Sequence, residues 1–239
     1  MAHIGTSGWV YPHWRGTVYR GDQRTWLDQY AAQFDTVELN GSFYRWPADA
    51  RFETWHDRVP EGFTMTVKAP RGLTHARRLA DPEVWIERVT RGLLALGDRR
   101  GPLIVQLPPT MQRDDERLDA FLTALPGWTR PVVEFRHDSW NDEAVFALLE
   151  RHGAAYCVMS GAKLPCLLRV TAPIAYVRLH GPDPEHLYGG SYSDDDLAWW
   201  AARIREWEQA GHEVYAYFNN DGEANAVRNA RTLKRLLAD

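Results

Sequence analysis

Residues 176–181 read Tyr-Val-Arg-Leu-His-Gly, so Arg178 and His180 stand two apart with Val177 and Leu179 on the alternate positions. A period of two predicts a β-strand that ends at Gly181-Pro182 and delivers polar tips to one face. The same pattern recurs at 63–68, ending in Lys68; at 104–109, carrying Gln106; at 132–137, carrying Glu134 and Arg136; and at 37–40, carrying Glu38 and Asn40. Strand-like runs fall near 3–7, 36–40, 63–68, 103–107, 132–136, 155–160, 175–180 and 213–219. Between most of them apolar residues return at helical spacing, over 25–34, 82–96, 115–124, 142–152, 194–209 and 223–237.

Strand and helix in alternation mean a parallel sheet, because each helical crossover returns the chain to the same end of the sheet. Eight such units in 239 residues fit a (β/α)8 barrel, typically about 250 residues, better than an open doubly wound sheet. The expected fold is therefore α/β, an irregular TIM-type (β/α)8 barrel forming a single domain over 1–239, with no internal repeat, low-complexity tract or linker-like run. Irregularity is expected in unit two, where the helix at 48–57 is short, and in unit six, where 161–174 carries Pro165 and Pro173. Asp81 ahead of Pro82 predicts one capped helix start, and Ser193 ahead of Asp194-Asp195-Asp196 predicts another.

A hydrophobic content of 44% supports one substantial core. The formal charge of −4 and pI near 6.1 give no general attraction to nucleic acid or anionic membrane and leave room for a local basic pocket. The opening Met-Ala-His-Ile-Gly-Thr-Ser-Gly-Trp lacks a basic start with an apolar run, and nothing approaches the roughly twenty apolar residues of a membrane helix. A cytoplasmic protein is expected. Cys157 and Cys166 fit no metal or redox spacing and read as reduced thiols. Of eleven tryptophans, Trp199, Trp200 and Trp207 fit a helical pattern and read as packing residues. Trp9, Trp14, Trp46 and Trp140 follow strand-like runs among Gly, Pro, His and Ser, where loops over a pocket belong.

In this architecture functional residues gather at the carboxyl ends of strands. Ser7 and Trp9 close the first strand, Asn40 and Tyr44 the second, Lys68 and His75 the third, and Gln106 the fourth. Arg136, His137 and Trp140 close the fifth, His180 the seventh with Tyr188 in its loop, and Asn219 and Asp221 the eighth. For Arg136 and Arg178, a structural role as ion partners of Glu38 or Glu134 weighs as much as a functional one, since buried charges persist when paired. For the set as a whole stability is the weaker account, because apolar replacements usually serve it as well. Glu38, Glu134 and His180 are the catalytic candidates, and the other residues named, Arg178 included, are candidate substrate ligands. Two carboxylates facing each other across a pocket suit glycoside hydrolysis, with aromatic faces and the amides of Asn40, Gln106 and Asn219 for a sugar.

Other chemistries are less well supplied. Lys68, Arg136, Arg178 and the helix after Asn219-Asn220-Asp221-Gly222 could hold a phosphate, against which Asp183, Glu185 and Asp221 argue. His75, His137, His180, Glu38, Glu134 and Asp221 are metal-ligand types, yet no His-x-His or His-Glu-x-x-His spacing occurs. Ser7, Ser42, Ser139 and Ser160 lack a nucleophile elbow, Cys157 lies early in its strand, and no glycine-rich nucleotide loop follows a strand.

In order, Ile4-Gly-Thr-Ser-Gly-Trp9, Val37-Glu-Leu-Asn-Gly-Ser-Phe-Tyr44, Val67-Lys-Ala-Pro70 with Thr74-His75, Gln106-Leu-Pro-Pro109, Glu134-Phe-Arg-His137 with Ser139-Trp140, Arg178-Leu-His-Gly181 and Phe218-Asn-Asn-Asp221 closely resemble the YecE-like family, domain of unknown function 72. The resemblance spans the chain and implies an irregular TIM-type barrel with these motifs at one mouth; it implies no established activity. One departure is Ser42, where the family usually reads Asn-x-Thr-Phe-Tyr; a hydroxyl is kept.

The leading expectation is a barrel enzyme, a glycosidase-like or phosphoester-directed hydrolase, using carboxylate acid/base chemistry on a small polar, sugar-like or anionic ligand. The rival is a barrel that binds a small molecule or partner without turnover, and the third is a metal-dependent barrel that processes nucleic acid. No cofactor is expected, with a divalent metal left open. No membrane partner is expected, nucleic acid is the less favoured partner, and the oligomeric state is not legible.

Overall fold

Each strand-like run forms a strand in a computed structural model that describes residues 2–238. The strands are β1 (Ala2–Thr6), β2 (Thr36–Leu39), β3 (Thr64–Lys68), β4 (Arg100–Gln106), β5 (Pro131–Glu134), β6 (Ala155–Ser160), β7 (Ile174–Leu179) and β8 (Glu213–Phe218). The helices are α1 (Trp26–Ala31), α2 (Gly41–Tyr44), α3 (Asp49–Arg58), α4 (Glu83–Ala95), α5 (Asp115–Ala124), α6 (Glu143–Arg151), α7 (Asp194–Gln209) and α8 (Asn225–Ala238). The parallel sheet runs in the order β1-β8-β7-β6-β5-β4-β3-β2, the topology of a (β/α)8, TIM-type α/β fold. Parallel strands covered on both faces need apolar residues at successive positions, and β5 and β7 are buried at every residue.

By their contacts the residues fall into two compact units. The first comprises Met1–Glu38, Val158–Arg169 and Pro173–Asp239. Within it β7 pairs with β8 from Ile174↔Glu213 to Leu179↔Phe218, and β1 pairs with β8 from Ala2↔Val214 to Thr6↔Phe218. A parallel bridge joins Ser7 to Glu38, and the Gly8 N–H donates to the Glu38 carbonyl at 2.8 Å. Helix α7 buries Leu197, Trp200, Ala201 and Ile204, spaced as one helical stripe, and α8 buries Ala226, Val227, Ala230 and Leu233. The second unit comprises Leu39–Cys157 and Val170–Ala172. There β4 pairs with β5 up to Gln106↔Glu134, and Gly92 of α4 admits Phe52 of α3 so closely that a Cβ would lie 2.7 Å from its ring.

The caps follow side-chain chemistry where the backbone permits. Ser193 and Asp196 form a capping box on α7, Asp114 caps α5 and Asp142 caps α6. Asp81 does not cap α4, contrary to the sequence reading. Its backbone is left-handed (φ 46°), Pro82 takes the cap position, and its carboxylate lies 3.8 Å from Arg77. Helix α8 starts two residues later than expected because Glu223 and Ala224 have positive φ. Among the described residues no helix lies between β6 and β7, as the two prolines of that stretch suggested. No described helix is long and apolar enough to cross a membrane. Cys157 is buried and Cys166 exposed, both free.

The tryptophan reading is corrected in part. Trp9, Trp14, Trp46 and Trp140 are buried packing residues, and of these Trp46 also borders an open groove beside α2, α3 and α4. Trp14 donates its indole N–H to the Asp221 carbonyl at 3.0 Å, and Trp140 donates to that of Met111 at 2.8 Å while stacking on Phe135. Trp199, read as packing, is 45% exposed and stands edge-on to the buried Trp200.

Candidate functional site

In the first unit, strand parity sets Tyr176, Arg178 and His180 on one face of the β7 segment. Two of them converge on Glu38, which is wholly buried at the end of β2. Tyr176 donates its hydroxyl to Oε2 at 2.6 Å, Ser7 donates to Oε1 at 2.6 Å, and Arg178 donates from Nη2 to Oε1 at 2.7 Å. Arg178 also reaches the Ser7 hydroxyl at 3.3 Å. Burial, then the charge of Glu38, pushes the Tyr176 phenol well above its ordinary range, so it stays a donor. Both Glu38 oxygens thus have donors, which makes a buried carboxylate tolerable.

One step past the last β7–β8 pair, Asn219 Nδ2 lies 3.2 Å from His180 Nδ1, within hydrogen-bond distance. Tyr188 donates its backbone N–H to the His180 carbonyl at 2.6 Å and sets its half-exposed ring edge-on to the imidazole. Asp221 holds His13 Nε2 on its carbonyl at 2.8 Å, and burial raises its carboxyl above the usual carboxylate range. Trp9 lies buried past Ser7.

In the second unit the register places Gln106 beside Glu134. Gln106 Nε2 donates to Glu134 Oε1 at 2.7 Å, Arg136 donates its Nε to the same oxygen, and Cys157 Sγ lies 4.0 Å from the other. Lys68, nearly buried at the end of β3, donates to Asn40 Oδ1 at 3.3 Å and holds its Nζ 4.3 Å from the centre of the Phe43 ring. His75 meets that same ring edge-on at 4.9 Å, and its Nδ1 lies 2.9 Å from the Thr74 hydroxyl. Burial, then Lys68 and Arg71, with Arg136 adding to them, holds the His75 imidazole below its ordinary pKa against the opposing pull of Glu134. His75 is therefore neutral near pH 7, in a positive local field.

The remaining second-unit candidates sit at the edges of this cluster. His137 accepts the Ser139 N–H on Nδ1, and Tyr44 is 70% exposed, edge-on to Phe43. Trp140 is core. Sequence reasoning missed three contributors. Tyr176 shares the parity of Arg178 and was legible on that ground. Phe43 underlies both Lys68 and His75, and Arg71 follows directly on Lys68-Ala69-Pro70. The Ser42 hydroxyl lies 2.6 Å from the Leu39 carbonyl and 2.7 Å from that of Lys68, so it pins β2 to β3 at this point. Among the described residues no three His, Cys, Asp or Glu side chains gather where a metal could be held.

The chain matches the family model "Protein of unknown function DUF72" over residues 3–239. It is 25% identical to UPF0759 protein YunF of Bacillus subtilis, across 99% of this chain and 95% of that one. It is 30% identical to UPF0759 protein YecE of Escherichia coli K12, where the match spans 57% of this chain and 49% of that protein. A DUF72 family protein of Thermotoga maritima superposes over 100% of both chains with a TM-score of 0.91 and 30% identity. A second, from Enterococcus faecalis, gives 0.85 at 19% identity, a likeness of fold.

Proposed function

Because the chain belongs to the DUF72 family of proteins of unknown function, its activity has to be read from its own side chains, and we propose a barrel enzyme that binds a small anionic, hydroxyl-bearing substrate at the ends of β3, β4 and β5. The observation that carries this reading is the charge around His75: Lys68, Arg71 and Arg136 against the single carboxylate of Glu134. A cluster with that balance attracts a negative group, and Lys68 and Arg136 supply charge-assisted donors for it. The amides of Asn40 and Gln106 suit neighbouring hydroxyls. Glu134 and the neutral His75 are the groups that move a proton, the imidazole as base and the carboxyl in concert with it. The chemistry is hydrolysis of a phosphoester or an acidic glycoside. In the first unit, Ser7, Tyr176 and Arg178 hold Glu38 in place, and Asn219 pairs with His180.

A ligand-binding barrel without turnover is favoured by one observation, that Glu134 already rests against Arg136 and Gln106. Thermal shift with inorganic phosphate, followed by a panel of activated phosphate esters and uronic-acid glycosides, separates the two. The enzyme reading expects saturable stabilisation by phosphate that Lys68→Ala weakens about tenfold or more, and turnover that Glu134→Gln lowers by about 100-fold with binding kept. Stabilisation without turnover of any ester or glycoside supports the binding barrel. Phosphate affinity unchanged in Lys68→Ala sinks both.

A further inference from the structure

A separate feature of the second unit is an open groove of about 1020 Å³ between α2, α3, the loop after β3 and α4. Its walls contain Arg45, Arg51, Arg71 and Arg88, and no Asp or Glu. In a chain with 32 acidic and 28 basic residues, such segregation runs against the usual interspersing of signs on a surface. Helical spacing builds it. Arg51 and Trp55 stand four apart on α3, and Trp85 and Arg88 three apart on α4, so each helix turns one guanidinium and one indole to the same face. Arg91, three residues past Arg88 and outside the groove, pairs with Asp49 at 3.5 Å. The four groove arginines have no carboxylate within ion-pair distance among the described residues.

The aromatic lining is as marked as the charge. Tyr44 is 70% exposed, Trp55 and Trp85 are half-buried, and Trp46 carries a buried indole N–H with no acceptor. Trp85 lies flush on Gly72, where a Cβ would fall 2.3 Å from the indole, so its ring is seated on backbone. Unpaired guanidinium forks beside flat aromatic faces, in an open channel, are what alternating phosphates and bases require. Bases stack on the rings while arginines track the backbone. A sugar would use the rings and leave four cations unanswered. An acidic peptide would use the cations and leave the flat faces idle.

We propose that this groove binds single-stranded nucleic acid, with Arg51, Arg71 and Arg88 on phosphates and Trp85 and Tyr44 stacking on bases. The groove shares Arg71 with the strand-end cluster, whereas the variants tested, at Arg51, Arg88 and Trp85, lie outside that cluster, so failure of this inference is distinguishable from failure of that reading. The test is fluorescence anisotropy of the full chain with a labelled thymidine strand on the order of ten nucleotides long, titrated with salt, beside the matching duplex and a heparin competitor. Saturable binding is expected. The slope of log affinity against log salt should fall by about 1.4 in the Arg51→Ala/Arg88→Ala pair, 0.7 for each phosphate no longer neutralised. Trp85→Ala should weaken binding on the order of tenfold and Trp85→Phe much less, because a phenyl ring still offers a stacking face. Both arginines are exposed and unpaired, so the paired variant should melt with the parent, and unfolding then does not account for its weaker binding. No saturable binding at low salt, a slope unchanged in the arginine pair, or duplex bound as tightly as single strand overturns the proposal. So does binding indifferent to Trp85→Ala and displaced equally by heparin, the mark of a bare cationic surface.

Discussion

Glu38, a catalytic candidate in the sequence, sits in the fold at the centre of a buried hydrogen-bond network. Its two oxygens are taken by Ser7, Tyr176 and Arg178, all buried. Removing one partner of such a pair strands the other charge in a low-dielectric interior, which costs about 3–5 kcal/mol, whereas removing both costs much less. Arg178→Met should therefore destabilise the chain by that amount in urea denaturation. Arg178→Met with Glu38→Gln should recover part of the loss, and Tyr176→Phe should cost about 1–2 kcal/mol. Single variants as mild as ordinary surface substitutions would show that the network contributes little. The contrast with His75 is instructive. Its neighbours leave it neutral and positively surrounded rather than saturated, which suits the proton exchange proposed for it.

At the level of elements, close backbone approach decides what sequence is allowed. Gly5 of β1 lies so near β2 that a Cβ would sit 2.4 Å from the Thr36 carbonyl oxygen, two residues before the Ser7–Glu38 bridge. Gly5→Ala should cost about 1–3 kcal/mol by overpacking, while Gly41→Ala at the start of α2, with nothing within 4 Å of its Cβ, should be near neutral. Equal denaturation midpoints for the two would contradict that packing. The strands were legible because each pairs an apolar run with polar tips, and α5 and α7 fall where periodicity puts them, at Asp115–Ala124 and Asp194–Gln209. Asp81 was not legible as a non-cap, because the left-handed turn through Arg78, Leu79 and Asp81 uses no glycine to announce it. Partner choice was hidden too. A period of two says that Arg178 and Glu134 point to a polar face, but register and parity decide that Arg178 meets Glu38 and that Gln106 meets Glu134. The tryptophans misled because Gly- and Ser-rich context marks a loop without saying which side of the ring is covered.

For the molecule as a whole, pH reads out the balance of its buried charges. His3 on β1 lies 3.5 Å from Asp35 and 3.2 Å from Glu213, and its ring stacks on Tyr215. Burial alone would lower its pKa; the carboxylates of Asp35 and Glu213 outweigh burial and raise it from 6.5 to about 9. The folded state then binds a proton that the unfolded chain has released, so this stabilisation is full below about pH 6.5 and is lost as pH rises through about 9. With both carboxylates more than a third exposed, solvent screening cuts the contribution to about 1–2 kcal/mol. His75 acts in the opposite direction. With its folded pKa depressed, its share of stability is present above the ordinary histidine value and falls as pH drops through the depressed one. Stability should thus decline on both sides of neutrality, by separable residues. In urea melts from pH 5 to 10, His3→Asn should flatten the alkaline limb and leave the acid limb in place, and His75→Asn should do the reverse. An alkaline limb that survives intact in His3→Asn would assign that loss of stability to other groups and remove His3 as its source.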